Sequence, residues 1–280
     1  MFTKIYEHHY RIKDNRQHPF LYHWSEFRGS RSRDISCNWH KNIELLLVEE
    51  GEGFIGYDTD ELEVCGGDLI LVNSGAMHRI YTDTSMKFHC FIVDESFCND
   101  NGFFTDRLRF TRVVRDEESC RRYRELIARI EARENEPFSV ARIRSAALLL
   151  LIDLCTKHAC PEEGAQAQKN AALEHVKVAL SYLNENYAHT VSLEQVADEV
   201  GITKFHLARE FKRYTGQTVV TYLNMLRCKM ARVYLSEGRN VTEAALESGF
   251  SSLSYFSRTY KKLMGQTPSE ETPDEVDGLV

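Results

Sequence analysis

Three side chains in the N-terminal half could act together: His40, Glu44 and His78, set in the spacings His40-x-x-x-Glu44-x6-Gly51 and Gly67-x5-Asn73-Ser-Gly75-x-x-His78. Imidazoles and a carboxylate offer donors and acceptors to a hydroxyl-rich ligand or an amine, and they are also the ligand types of a metal site. A second set, in the C-terminal half, could bind a polyanion. Over 203–214, Lys204, Arg209, Lys212 and Arg213 stand against a single acid, Glu210; over 251–264, Arg258, Lys261 and Lys262 stand against none. A basic helix face is often only solvated surface. Two such faces in register within a repeat are instead the footprint of paired helices that read a nucleic acid.

The elements that must carry the basic faces follow from an internal repeat between about Ser192 and Pro268. One copy runs Ala197, three residues, Gly201, then Arg209-Glu-Phe211-Lys212 to Gly216-Gln217-Thr218; the other runs Ala245, three residues, Gly249, then Arg258-Thr-Tyr260-Lys261 to Gly265-Gln266-Thr267. Leu193, Val196, Ala197 and Val200 make an amphipathic stripe, with Ser192 and Gln195 as a capping box; Asn240 and Glu243 supply the box of the second copy. Gly201 and Gly249 can close their helices in the left-handed conformation, and Thr203 can cap the next one. Each copy therefore predicts a helix-turn-helix. Leu207, Phe211 and Tyr214 form the buried stripe of one second helix and Phe256, Tyr260 and Leu263 that of the other, which turns Phe205, Arg209, Lys212, Ser254, Arg258 and Lys261 outward. Thr218 to Ser236 reads as one connecting helix of about 28 Å, close to the roughly 34 Å of a DNA turn.

The pocket residues fall in a different pattern. From about Asn38 to Val93, short β-type runs (Ile43 to Val48, Phe54 to Tyr57, Leu62 to Val64, Leu69 to Val72, Phe88 to Val93) are separated by Gly51-Glu-Gly53, Gly66-Gly67 and Ser74-Gly75, which predicts a sandwich or barrel. Positions 40, 44, 46 and 48 share parity, so His40 and Glu44 face the same way as Leu46 and Val48. Gly51, Gly53 and Gly56 spell G-x-G-x-x-G, but a strand follows where a dinucleotide site needs a helix. After about Asp116 the pattern turns helical, with Tyr123, Leu126, Ile127 and Ile130 in one stripe and Val140, Ile143, Ala147, Leu150, Leu151 and Leu154 in another, Pro137 breaking the chain between them. This helical pair, about 116–157, either caps the barrel or forms a dimer seam; the seam is the expectation, through Ile127, Ile130, Leu150, Leu151 and Leu154.

The segments SLEQVADEVGITKFHLAREFKRYTGQT and GFSSLSYFSRTYKKLMGQTPSE resemble the DNA-binding domain of AraC/XylS-type transcriptional regulators over roughly the last hundred residues. The resemblance implies that Phe205, Arg209, Leu253, Ser254 and Arg258 contact bases. Lys204, Lys212, Arg213, Ser252, Lys261 and Lys262 complete the expected DNA-binding face. The chain departs from that pattern at Ala244, at Tyr260 in place of the usual Phe, and at Glu270-Glu271 in place of Tyr-Arg after Pro268. The His40, Glu44 and His78 spacing is similar to the two motifs of the cupin barrel, whose enzymes hold a metal with three histidines and a glutamate. Asn38 stands where the first histidine would be, so the expectation is no metal and no cofactor, with the three residues binding an effector directly.

The 280 residues, 42% of them hydrophobic, suffice for two domains with real cores. The expected fold is two-domain α+β: a cupin-like effector-binding and dimerisation domain over 1–160 (barrel, then helical pair), a linker over 161–170, and an all-α DNA-binding domain over 171–280 with two helix-turn-helix units joined by a long helix. The net charge of −7 is uneven: residues 171–269 carry 12 Lys+Arg against 9 Asp+Glu, and 270–280 add five acids. Local charge governs steering toward phosphate. The longest apolar run, Ala146 to Ile152, is far short of a membrane span, and the N-terminus has no signal-peptide core. Eight cysteines without C-x-x-C spacing suit a reducing cytoplasm. The expected protein is a cytoplasmic, homodimeric transcriptional regulator, with double-stranded DNA, a sugar or other polar metabolite and, for an activator, RNA polymerase as partners. It is expected not to be an enzyme; the alternatives are a metal-dependent cupin enzyme with a DNA-binding appendage, and a regulator whose barrel only dimerises.

Overall fold

A computed structural model of the chain describes residues 19–28, 38–57, 60–132, 138–160 and 171–271. The linker at 161–170, the break at Pro137 and the acidic residues beyond 271 lie outside the described residues. The chain divides into two units, one carrying all the strands with the first three helices and the other the remaining helices. Among the described residues no helix is long and apolar enough to cross a membrane.

The first unit is antiparallel throughout. Its strands are β1 (Phe20–Arg28), β2 (Ile43–Tyr57), β3 (Asp60–Cys65), β4 (Leu69–Val72), β5 (His78–Tyr81), β6 (Ser85–Val93) and β7 (Val113–Val114), in the order β1-β6-β2-β4-β7, with β3 and β5 both on β2. The sequence predicts two strands separated by a turn at Gly51-Glu-Gly53; the structure has one strand there. β2 pairs with β4 and β6 through its first part and with β3 and β5 from Glu52 or Phe54 onward, and its register with β6 slips between Val48 and Glu50. Gly51 has φ +85°, a side chain there would collide with the Ser85 carbonyl, and a Cβ on Gly53 would stand 2.7 Å from the Tyr81 carbonyl oxygen. The two glycines admit a bulge and a close neighbouring backbone, so the strand bends instead of reversing.

Helices α1 (Glu95–Asp100), α2 (Glu117–Glu131) and α3 (Ser139–His158) complete this unit. Strand alternation creates two cores. Ile43, Leu45, Leu47, Leu69, Leu71, Phe91 and Val93 pack with Tyr123, Leu126, Ile127, Ala147, Leu150, Leu151 and Leu154 of the helices. Leu46, Val48, Ile70, Val72, Cys90 and Ile92 turn the other way and pack with Ile55, Tyr57, Val64 and Phe88. The expected dimer residues are therefore corrected. Ile127, Leu150, Leu151 and Leu154 are no more than 5% exposed within the chain's own core, and Ile130 is packed against that core. An apolar run such as 146–152 offers two faces, and periodicity alone does not say which one a sheet claims; α3 leaves Leu149 and Ile152, 56% and 52% exposed, on its outer side.

The second unit follows the repeat. α4 (Ala171–Asn186) precedes α5 (Leu193–Val200) and α6 (Lys204–Thr215); α7 (Val219–Ser236) leads to α8 (Val241–Glu247) and α9 (Leu253–Met264), with a 3-10 turn over Pro268–Glu270. Both capping boxes form, Ser192 with Gln195 and Asn240 with Glu243, and Gly201 (φ +78°) and Gly249 (φ +89°) are left-handed. Within this unit the two helix-turn-helix copies meet at the Tyr187 carbonyl. Arg227 of α7 donates to it at 2.8 Å and to the His189 carbonyl at 2.8 Å, while a Cβ on Gly249 would lie 2.5 Å from the same oxygen. Two departures from the family pattern also answer each other: the Tyr260 hydroxyl, which a Phe lacks, donates to Glu271 at 2.6 Å, and Arg232 pairs with the same carboxylate at 3.3 Å.

Two stability differences follow from this packing. Gly201 has open space around it and needs only the left-handed backbone, so Gly201→Ala is expected to cost about 1 kcal/mol. Gly249→Ala adds a backbone collision and is expected to cost more than about 2 kcal/mol; equal shifts in urea midpoint for the two variants would contradict the close approach. Leu151→Arg buries an unpaired charge under the sheet and is expected to unfold the first unit, losing near-UV circular dichroism, at a cost of several kcal/mol. Ile152→Arg, one residue away on the outer face, is expected to stay folded. A well-folded Leu151→Arg chain would place that side chain outside the core.

Candidate functional site

The recognition face is built by burying one side of α6 and α9. Leu207, Phe211 and Tyr214 are sealed beneath α6, and Phe256 and Tyr260 beneath α9, which leaves Phe205, Arg209, Lys212 and Arg213 exposed on the first and Ser252, Leu253, Ser254, Arg258, Lys261 and Lys262 exposed on the second. Lys204 is half-buried and bonded to Glu194 at 2.5 Å. Phe205 is 79% exposed at the start of α6, a position that solvent alone would not favour. The structure thus brings the sequence-expected residues to the outer surfaces of the two second helices.

The electrostatics of the two helices differ. On α6 the buried carboxylate of Glu210 accepts from Arg209 Nε at 3.1 Å and lies 3.6 Å from Arg213 Nη1, while Arg209 Nη2 sits 3.1 Å from His206 Nδ1. On α9 Arg258 Nε donates to the Ser254 carbonyl one turn back, at 3.1 Å. Sequence reasoning missed two neighbours of this face. His206 joins the Arg209 network, and Tyr255, 44% exposed, accepts from Asn224 Nδ2 at 2.8 Å. The position of Tyr255 directly after Ser254, in a helix whose buried stripe starts at Phe256, was the available signal.

In the first unit His40 lies three residues before the start of β2, Glu44 is the second residue of β2, and His78 opens β5. The parity reading holds in the strand, since Glu44 lies on the Leu46 and Val48 side, with its Oε1 accepting from the Cys90 thiol at 3.2 Å. His40 Nε2 and His78 Nε2 both approach one oxygen of Glu44, at 3.0 and 3.1 Å, and all three residues are buried. Their polar atoms converge on one another beside a wall that is otherwise apolar. Burial drives the Glu44 carboxyl upward, but the charge of His78 and hydrogen bonds from both rings outweigh it and hold it well below the usual carboxylate range. The Nδ1 atoms are tied to backbone: His40 to the Asn42 carbonyl at 3.1 Å, His78 to the Ala76 carbonyl at 3.2 Å. The ligand-type atoms of the three side chains all lie within 4.8 Å of one another.

Residues 33–152 match a family described as AraC-like ligand binding domain, and residues 196–272 one described as helix-turn-helix domain. The HTH-type transcriptional activator RhaS of Escherichia fergusonii is 25% identical over 250 residues, spanning 82% of this chain and 85% of that protein. An uncharacterized HTH-type transcriptional regulator of Bacillus subtilis, YdeC, is 22% identical over 247 residues, spanning 84% of each. The 1.65 Å structure of ToxT from Vibrio cholerae superposes with a TM-score of 0.51 at 14% identity, over 90% of this chain and 97% of that one, a likeness of fold.

Proposed function

The chain belongs to the AraC family of transcriptional regulators, with an AraC-like ligand-binding domain ahead of its helix-turn-helix domain, and from that premise we propose that α6 and α9 enter successive major grooves on one face of a DNA duplex. The observation that carries this reading is the pair of outward basic faces on α6 and α9, each opposite a sealed aromatic stripe. The 18 residues of α7 span about 27 Å, which suits reading helices set about one helical turn apart. Arg209 and Arg258 read base edges, with Phe205, Ser252, Leu253 and Ser254 beside them. Lys204, Lys212, Arg213, Lys261 and Lys262 contact phosphate.

The first unit supplies the control. A small molecule bound there changes DNA affinity only by its differential affinity for two arrangements of the chain. Three polar side chains on an apolar wall favour an effector of mixed polarity over a plain sugar. ToxT from Vibrio cholerae, similar in fold, has been crystallised with an unsaturated fatty acid bound, a ligand of that mixed kind. A second copy of the chain would pack on the outer face of α3 around Leu149 and Ile152, not on the buried stripe.

Titration of promoter fragments by fluorescence anisotropy tests the DNA reading. Arg258→Ala is expected to lower affinity for the specific site about tenfold or more and to relax the preference at one base pair, since a bidentate arginine–guanine contact is worth about 1–3 kcal/mol. Lys261→Ala should weaken binding to all sequences alike and reduce the salt slope by about one unit. Unchanged affinity and sequence preference for Arg258→Ala would remove α9 from the interface.

A further inference from the structure

We propose that His206 is a positioning residue for base recognition by α6: its ring accepts a hydrogen bond from Arg209 and fixes the plane in which that arginine meets a base pair. The inference rests on α6 entering a major groove, as argued above, and goes beyond it by tying the preference of Arg209 to a neighbour. Arg209 Nη2 lies 3.1 Å from His206 Nδ1, one turn back on the same helix, and Arg209 Nε donates to Glu210 Oε1 at 3.1 Å. A guanidinium carries donors only, so His206 Nδ1 holds a lone pair and the hydrogen of the neutral ring is on Nε2. An arginine side chain that is 70% exposed is thus held at two points. One acceptor on Nε would leave the guanidinium free to pivot about that bond; a second acceptor from another residue sets its plane. Neither bond uses Nη1 or the second hydrogen of Nη2. Those atoms form the fork that a bidentate contact to guanine O6 and N7 needs.

His206 is itself held. Its backbone N–H donates to the side chain of Thr203, the N-cap of α6, at 3.3 Å. Its ring stands edge to face with that of His175 from α4, the centroids 6.4 Å apart and the planes at 78°, a favoured arrangement of two rings. The acceptor is therefore placed by a cap and a ring contact before DNA arrives. Its lack of charge matters as much as its position. A carboxylate at 206 would bind the guanidinium more tightly, draw it away from a base and repel phosphate, and Glu210 already offsets positive charge on this face. An imidazole directs the fork and subtracts nothing from the attraction to DNA. The second copy of the repeat is built differently. The residue three before Arg258 is Tyr255, whose hydroxyl accepts from Asn224 of α7 at 2.8 Å, and Arg258 Nε donates to the Ser254 carbonyl. The two-point hold is thus a feature of α6, where Arg209 has both a carboxylate and an imidazole beside it.

The full chain is used to enrich a randomised duplex pool. Each variant is then titrated against the enriched site, against single-base-pair changes of it, and against a non-specific duplex. His206→Phe keeps a ring against His175 and removes the acceptor. His206→Asn gives up the ring and keeps an acceptor, since its Oδ1 sits on Cγ as Nδ1 does. Both are checked for folding by circular dichroism. His206→Phe is expected to lose about two- to tenfold in preference at the base pair that Arg209→Ala also affects, the cost of an arginine no longer ordered in advance, with its affinity for the non-specific duplex unchanged. His206→Asn should keep the parent's preference at that base pair. A folded His206→Phe chain with the parent's preference overturns the role of His206, as does a His206→Asn chain no more selective than His206→Phe, while Arg209→Ala still loses its base pair. If Arg209→Ala itself leaves every base preference unchanged, α6 does not read bases, and the inference falls together with that reading.

Discussion

The first unit depends on a single strand's ability to change partners along its length. β2 hydrogen-bonds to β4 and β6 on one stretch and to β3 and β5 on the other; a strand has only two hydrogen-bonding edges, so four partners must divide its length. The slip at Val48 to Glu50 and the left-handed Gly51 supply the bend. Two consequences for the buried triad follow. Glu44 sits on the near stretch of β2, while Tyr57 at its far end pairs with His78 of β5, so the bend is what carries His78 back over the carboxylate. The same alternation that points Glu44 into the second core points Leu45 and Leu47 at α2 and α3, which is why the helical pair is committed to covering the sheet.

The second unit was legible in the sequence because its signals are short-range. Capping boxes need residues three apart, and a helix-closing glycine needs only its own φ; Ser192 with Gln195, Asn240 with Glu243, Gly201 and Gly249 all behave as those local rules require. The strands were less legible. Glycine marks a turn and a bulge equally well, so Gly51 and Gly53 read as a reversal, when what decides between the two is the nearness of Ser85 and Tyr81 in another strand. β1 went unassigned within a polar N-terminal stretch, and β5 is too short to show a period. The leucine-rich helix was legible as a helix, but the stripe expected at a seam is the one the sheet buries, since its apolar residues exceed what one face can bury and only the sheet's shape selects the stripe.

For the triad, sequence gave the residue types and their shared face, and the tautomers lay beyond it. Those depend on the carbonyls of Asn42 and Ala76, backbone atoms whose positions no side-chain pattern encodes. In the fold both nitrogens of each ring are engaged, Nδ1 beside a backbone carbonyl and Nε2 beside Glu44.

If α6 and α9 read DNA as proposed, one buried acid would divide their labour. Glu210 touches Arg209 and Arg213, so part of the rotamer entropy of two long side chains on α6 is spent before any DNA arrives, and the fork of Arg209 is held in one orientation. That arrangement favours discrimination between bases over raw attraction, because the same carboxylate offsets positive charge. α9 has no acid between 251 and 264, and its arginine is steadied by the backbone of Ser254. On the proposed reading that helix, with no acid of its own to offset its charge, favours affinity and encounter rate. A protein with both kinds of helix on one stiff connector can be drawn to DNA chiefly by the second and placed in register chiefly by the first, so that sequence selection does not have to compete with the electrostatics that bring the partners together.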